Sequence, residues 1–467
     1  MHWYRNCIMS LQNNYKNTTS FYNLSIFKRL TNKLNDTGSI KIFKNAGWLF
    51  TDKIVRQGLN FLLTAYIARY LGVQLFGVWN YALAFVVLFS FFSTLGIYNQ
   101  LLRDFVRHPE RHNELLGSAF IIKLLGGCIT FALSYATIVI TKPEEPFLHT
   151  LISLIAFGYI IQSFDVIDFF FQSQLKAKWI AISRLISFLI FAVLKLAFVH
   201  LQLPLFYFIW AQLGELLFSA TLLIFFFNKY FHGIFKWTIN WKALTGMLKE
   251  SLPILFAEVA ILIYMRIDQV MIGEMMGNET LGIFSAAVRL SELWYLVPGV
   301  ICSTAFPSII KAYYTDPLDY RKKLQRLYDL LVWLSIIIAI VVSILAPFIV
   351  NIIYGQQFSS ASSILVIHIW TSVFVFVGFA SNQQLVLEDL AKISFFRTLF
   401  GVVTNVLFNF IMIPLWGAKG AAFATLIAQA FSSWLSNYFF KETRPIFWIN
   451  VRSLNLKRLI TDYLKLK

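Results

Sequence analysis

Apolar runs long enough to cross a bilayer recur from Asn45 to Phe440, with no long polar stretch between neighbours. A helix rises about 1.5 Å per residue, so roughly 20 apolar residues span the ~30 Å of hydrocarbon. Backbone polar groups cannot stay unpaired in lipid, which leaves helices or closed barrels as spanning structures. Runs of this length read as helices. They fall near 45–70, 76–102, 115–140, 147–174, 178–200, 205–229, 251–276, 281–309, 326–353, 361–387, 391–415 and 418–440. The expectation is an all-α polytopic membrane protein with about 12 transmembrane helices. Composition agrees: 58% of residues are hydrophobic and 13% charged, against about 45–50% and 25% in soluble domains.

The net charge of +17 raises nucleic acid as a partner, but its distribution points to a membrane. On this layout 30 Lys and Arg fall on one side, three (Arg69, Lys142 and Lys419) on the other, and seven inside spans. The positive-inside rule then puts both termini in the cytoplasm and requires an even span number. The chain divides into a basic tail (1–43), a six-helix bundle (44–231), a linker (232–250), a second six-helix bundle (251–440) and a basic tail (441–467). Within the first tail, Phe21 to Leu34 suits either an interfacial amphipathic helix or a disordered segment.

Shifting the chain by 205 residues lays Tyr66–Phe85 onto Met271–Leu290. Ile67/Ile272, Gly72/Gly277, Gly77/Gly282 and Ala82/Ala287 then coincide, and Trp79 meets Phe284. The shared pattern is helix, Gly-x4-Gly hairpin, returning helix. Six spans per half give both halves the same orientation, so the repeat is parallel, about a pseudo-twofold axis along the membrane normal.

Charges inside the spans are the candidate functional residues, because ionisable groups at bilayer depth usually face a cavity or a partner. Lys53, Arg56, Asn60 and Thr64 share one helix face. Gln162, Asp165, Asp168 and Gln172 form a second polar face, suited to a cation or proton or to pairing with Lys53 and Lys123. Ser285, Arg289 and Glu292 line a third, where Arg289 and Glu292 are spaced to pair. Pro298 is expected to kink that helix. Glu258, Arg266 and Asp268 occupy the seventh span. Arg266 and Asp268 lie about 200° apart around a helix, so a shared cavity requires a bend between Glu258 and Asp268. In a straight span, Asp268 is expected to pair with a neighbouring helix. Glu215 reads as isolated, and Lys195 as reaching for the outer surface. Substrate binding is assigned to Lys53, Arg56, Asn60, Arg266, Arg289 and Glu292. Asp165, Asp168, Glu258 and Asp268 are candidates for a coupling ion.

Other chemistry finds little support. Cys7, Cys128 and Cys302 are scattered, and His108-Pro-Glu-Arg-His112 lacks a third ligand, so no metal site is expected. No phosphate-cradling Gly-x4-Gly-Lys-Ser/Thr motif occurs, and no cofactor is expected.

The segments Asn45–Phe85 and Lys249–Ile301, with R-x-L-G-x3-F-G-x-W in the first and L-P…I-D…I-G…G…L-G-I-F-S-A-A-x-R in the second, resemble the openings of the two halves of polysaccharide-export flippases. These are lipid-linked oligosaccharide translocases of the multidrug/oligosaccharidyl-lipid/polysaccharide exporter superfamily. The resemblance covers Asn45 to Lys441. It implies two six-helix bundles around a cationic cavity that alternately opens inward and outward. The implied cargo is an oligosaccharide on polyprenyl pyrophosphate, moved across the bacterial cytoplasmic membrane for surface polysaccharide synthesis. It also implies contact with membrane lipids and with polymerase and export machinery. Arg56, Arg266, Asp268, Arg289 and Glu292 match its cavity positions.

Two other functions compete. A cation-coupled drug exporter of the same superfamily should carry a cavity dominated by carboxylates, whereas basic groups here are at least as numerous. A polysaccharide polymerase or lipid-dependent glycosyltransferase usually needs a sizeable external loop, and every outer loop here is short. The expectation is a transporter, not an enzyme.

Overall fold

The computed structural model describes residues 37–231, 233–455 and 458. The Phe21–Leu34 segment lies outside these. Among the described residues the elements are α-helices and short 3-10 turns: α1 (Thr37–Val87), α2 (Phe91–Thr94), α3 (Tyr98–Arg107), α4 (His112–Thr141), α5 (Pro146–Ile161), α6 (Val166–Ser173), α7 (Ala177–His200), α8 (Leu205–Tyr230), α9 (Trp241–Glu292), α10 (Leu296–Thr315), α11 (Pro317–Tyr354), α12 (Ala361–His368), α13 (Thr371–Leu387), α14 (Ala391–Ser433) and α15 (Arg444–Ser453). Among the described residues, nine segments are long and apolar enough to cross a membrane. Three of them break at a glycine with non-helical backbone: Gly72 in α1, Gly277 in α9 and Gly417 in α14. A Cβ added at Gly420 would meet the Met412 carbonyl, and one at Gly273 would meet Leu281. Residues eight apart in a straight helix are separated by about 12 Å, so the chain reverses at these glycines. The result is a polytopic bundle of twelve passes.

Both ends of the bundle are defined by contacts between connections. At the hairpin end, Arg69 donates to the carbonyls of Asn351 and Ile352, Gln357 donates to the Arg69 carbonyl, and Tyr70 donates to the Leu203 carbonyl. Lys142 lies 3.5 Å from Glu274, and Met276 lies beside Gly417. At the opposite, basic end, Thr238 N donates to the Asn113 carbonyl and Asn240 N to Ser118. There Arg103 pairs with Glu250 at 2.7 Å, and Ala177 N donates to the Asn45 side chain.

The 205-residue repeat is visible in the packing. Gly72 and Gly277 adopt the same left-handed, extended conformation, with φ/ψ of 76°/172° and 83°/174°. A Cβ at Gly77 would sit 1.7 Å from the Asn278 carbonyl oxygen, and one at Gly282 would sit 2.1 Å from that of Val73. Asn278 is Val73 shifted by 205, as Gly282 is Gly77. Each hairpin therefore presses a carbonyl onto the other's glycine, as a twofold-related pair must. Ile67, Ile272, Ala82, Ala287, Trp79 and Phe284 are all buried around this contact.

Two local expectations change. The second pass is not one helix: it breaks between Val87 and Tyr98, where Leu95 and Gly96 take positive φ. The Phe89 carbonyl inside the break accepts from Phe92 N and lies 3.1 Å from Thr130 Oγ1, so the irregular backbone there is satisfied. The eighth pass is interrupted where Pro298 predicts: the α-helix gives way to a 3-10 turn at Leu293–Tyr295 and resumes at Leu296, and Pro298 has no N–H to offer the Trp294 carbonyl. Within α9 the only non-helical residue is Gly277, so the bend expected between Glu258 and Asp268 is absent. Beyond the last pass, residues 444–453 form α15, docked on α11 through Gln325 Nε2 to the Ile449 carbonyl and Trp333 Nε1 to the Ser453 carbonyl.

Overpacking a closed backbone contact costs about 1–3 kcal/mol. Gly282→Val should therefore lower the thermal midpoint in detergent by several degrees, whereas Gly246→Ala, with nothing within 4 Å of its new Cβ, should leave it unchanged or slightly raised. Equal midpoints for the two variants would contradict the packing described.

Candidate functional site

A cavity of about 280 Å³ lies among the membrane-spanning helices. Its polar wall comes from α1 (Arg56, Asn60, Thr64), from Gln162 just after α5, from α7 (Lys195) and from α8 (Gln212, Glu215). Arg289 of α9 closes one side and is, among the described residues, the one lining group from the second half. Trp79 also lines it, and its Nε1 has no partner among the described residues. Arg56 lies 16 residues before Gly72 and Arg289 lies 12 after Gly277. At 1.5 Å per residue both reach about 18–24 Å in from the hairpin end.

Each α1 position follows from helical spacing. Asn60 and Thr64 are one turn apart on the face that carries Arg56, and Ile67 and Leu63 complete the same wall. Lys53 is exposed and outside the lining. Arg56 Nε lies 3.4 Å from Asp52 Oδ1, one turn earlier, and Asp52 is buried.

Lys195 and Glu215 are neither isolated nor turned to the surface. They pair at 2.7 Å across α7 and α8, and both line the cavity. Sequence periodicity treats each helix alone and could not see that the two meet. Among the described residues Glu215 is the single carboxylate in the lining, and Lys195 offsets it.

The polar face of the fourth pass is not one site. The pass narrows to a 3-10 turn at Gln162–Asp165, which rotates its side chains apart. Gln162 turns to the cavity, Asp165 lies 3.8 Å from Lys123, Asp168 accepts from Arg184, and Gln172 accepts from Tyr98 at 2.7 Å. Arg184 was missed by the sequence reading, although its place seven residues into α7 at membrane depth was a signal.

In the second half, Arg266 lies 3.8 Å from Glu292, and neither lines the cavity. Arg289 and Glu292 do not pair with each other. Arg289 Nη2 donates to Asn80 Oδ1 at 2.9 Å, and its guanidinium stacks 5.5 Å from the Phe76 ring centroid. Asp268 accepts from its own neighbour Gln269 N and from Thr425 Oγ1 of α14, which makes it a fastening between helices. The Glu258 side chain lies outside the described residues. Arg397 of α14 is buried and held by Ser381 Oγ and the Ser432 and Ser433 carbonyls.

Two family models match this chain. The model described as "Polysaccharide biosynthesis protein" covers residues 42–313, more than half of the sequence. The chain belongs to that family. The MatE model matches residues 253–411. Among curated relatives, "Probable flippase AglR" of Haloferax volcanii is 28% identical over 37% of each chain. The chain thus spans little more than a third of that relative's length. "Capsular polysaccharide biosynthesis protein CapF" of Staphylococcus aureus is 19% identical over 85% of this chain and 98% of its own. Two solved structures share the fold. One is a multidrug resistance MATE family transporter of the MOP superfamily in an inward-facing conformation (TM-score 0.69, 14% identity, 86% of this chain and 96% of that one). The other is the lipid II flippase MurJ in an inward closed conformation (TM-score 0.66, 15% identity, 91% and 93%).

Breaking a buried ion pair costs about 3–5 kcal/mol, whereas replacing both partners by apolar groups is often neutral. Arg184→Met alone should sharply lower the detergent melting midpoint, and adding Asp168→Leu should restore most of it. If the double variant melts as low as the single one, Asp168 and Arg184 are not a mutually dependent pair.

Proposed function

We propose that this protein is a flippase that carries an oligosaccharide linked to polyprenyl pyrophosphate across a membrane by alternating access. One observation carries the proposal: among the described residues the cavity lining presents Arg56, Lys195 and Arg289 against one carboxylate, Glu215, with Asp52 beside Arg56 leaving an excess of one cation. A pyrophosphate supplies charge and acceptor oxygens for such a set, and guanidinium groups bind phosphate bidentately. The remaining lining groups are amides and a hydroxyl (Asn60, Gln162, Gln212, Thr64), with the unpartnered indole N–H of Trp79. These are groups suited to sugar hydroxyls. Membership of a polysaccharide biosynthesis family and the flippase names of relatives point the same way.

The MATE-like fold keeps a cation-coupled drug exporter as the alternative. A cationic drug would meet three basic groups and one neutralised carboxylate, so the lining disfavours it. In our reading the membrane is a bacterial cytoplasmic membrane and the basic end faces the cytoplasm. That places the anion-binding groups where the cargo is assembled and the basic loops against anionic lipid. Polymerase and export proteins would act on the product.

Proteoliposomes loaded with a fluorescent polyprenyl-pyrophosphoryl sugar test the function. Losing a charged hydrogen-bond donor should cost about tenfold in transport for Arg56→Ala and for Arg289→Ala. Lys53→Ala, outside the lining, should stay near the parental rate. Full transport by both arginine variants, or efflux of a cationic dye in place of lipid flipping, would overturn the proposal. Orientation is tested on intact cells lacking Cys128: an impermeant maleimide should label Leu201→Cys at the hairpin end and spare Phe235→Cys at the basic end. The reverse pattern would invert the topology.

A further inference from the structure

Arg289 takes part in two structures at once. It is the second half's contribution to the cavity lining. It is also tied to the first half, through Nη2 to Asn80 Oδ1 at 2.9 Å and through its stack on Phe76. Both of those partners are buried. Asn80 is itself fixed, because its Nδ2 donates to the Phe76 carbonyl at 2.7 Å. That bond leaves Oδ1 aimed at the guanidinium.

The tie lies beside the tightest contact between the halves. Asn80 and Phe76 flank Gly77 on one returning helix, and Arg289 lies two turns from Gly282 on the other. The neighbouring carboxylate, Glu292, is engaged by Arg266 at 3.8 Å. Arg289 therefore rests on a neutral amide and a ring face, both weaker partners for a guanidinium than a phosphate.

We infer that Asn80 is a positioning residue that holds Arg289 over the cavity while the hairpin end is closed and yields it to an entering diphosphate, so that cargo arrival loosens the Gly77–Gly282 contact. This rests on the cavity being the cargo site. The physical requirement for such a switch is a ligand with different affinity for the two states. A diphosphate meets it if Arg289 must leave Asn80 to bind it. The exchange then trades one hydrogen bond between the halves for a stronger one to the cargo.

Spin labels at Ile140→Cys and Leu415→Cys report the hairpin end. Both positions are exposed, at 78% and 68%, and belong to opposite halves. The background carries Ser at positions 7, 128 and 302. Distances are read in vesicles containing either a C55 polyprenyl pyrophosphate or the uncharged polyprenol of the same length. In the parent, the short distance should dominate with polyprenol, and the long-distance population should rise about tenfold with the pyrophosphate. Asn80→Ala should show about that tenfold rise with polyprenol alone and little further response. Asn80→Asp keeps an acceptor and adds charge, so it should stay closed and lose the response. Parental distributions for Asn80→Ala in both lipids would overturn the inference. Should Asn80→Ala fail to fold, Phe76→Leu removes the stacked ring at similar volume and should shift the distances the same way, with no shift counting against the inference. Binding of radiolabelled polyprenyl pyrophosphate separates the two readings. Without binding, the cargo proposal fails, while opening of Asn80→Ala in polyprenol would still support the tie.

Discussion

The molecule depends on one steric fact: the carbonyls of Val73 and Asn278 occupy the space where side chains at Gly282 and Gly77 would be. In lipid there is little hydrophobic drive between helices, so close backbone approach through small residues supplies much of the association. Here it is used reciprocally, once from each half. Gly72 and Gly277 make it possible by reversing the chain in a left-handed conformation that other residues rarely adopt. From that contact follow the burial of Trp79 and Phe284, the meeting of Asn80 with Arg289, and the position of the cavity.

Charges at membrane depth sort into two groups around this framework. Some are consumed locally: Asp168 by Arg184, Asp165 by Lys123, Asp268 by Thr425, and Arg266 by Glu292. These fasten neighbouring passes. The others converge on the cavity, where among the described residues Arg56 has Asp52, Lys195 has Glu215, and Arg289 is left without a carboxylate of its own. A buried ion needs a partner, or its desolvation dominates. An excess of cation at a cavity wall is stable only where water or an anionic ligand can reach it. The imbalance is thus a statement about what the cavity is built to meet.

How much was legible in the sequence follows from the range of each signal. Apolar run length is local and one-dimensional, so the passes emerged with boundaries a few residues off. The repeat emerged because backbone geometry leaves glycines at fixed spacing, and Gly72 and Gly277 carry that geometry. The α1 face was readable because Arg56, Asn60 and Thr64 share one helix. Partners across helices were not readable: Glu215 seemed isolated because Lys195 lies on a different pass, and Asp268 meets a threonine 157 residues away. The polar face of the fourth pass misled because helical periodicity was assumed through Gln162–Asp165, where the chain tightens to a 3-10 turn.

A cavity whose described lining comes almost entirely from one half would constrain how access alternates under the proposed function. In a symmetric cleft both walls would carry the recognition groups, and rocking would pull them apart while cargo is bound. Under the proposed function, the wall of α1, Gln162, α7 and α8 would keep its grip on a head group while the second half moved as a lid. Arg289 is then the group whose environment changes most, because it belongs to the lid yet reaches the wall. A switch needs a bistable element biased by its ligand. Of the charged residues at this depth, Arg289 alone combines a place in the lining with a hydrogen bond to the opposite half among the described residues.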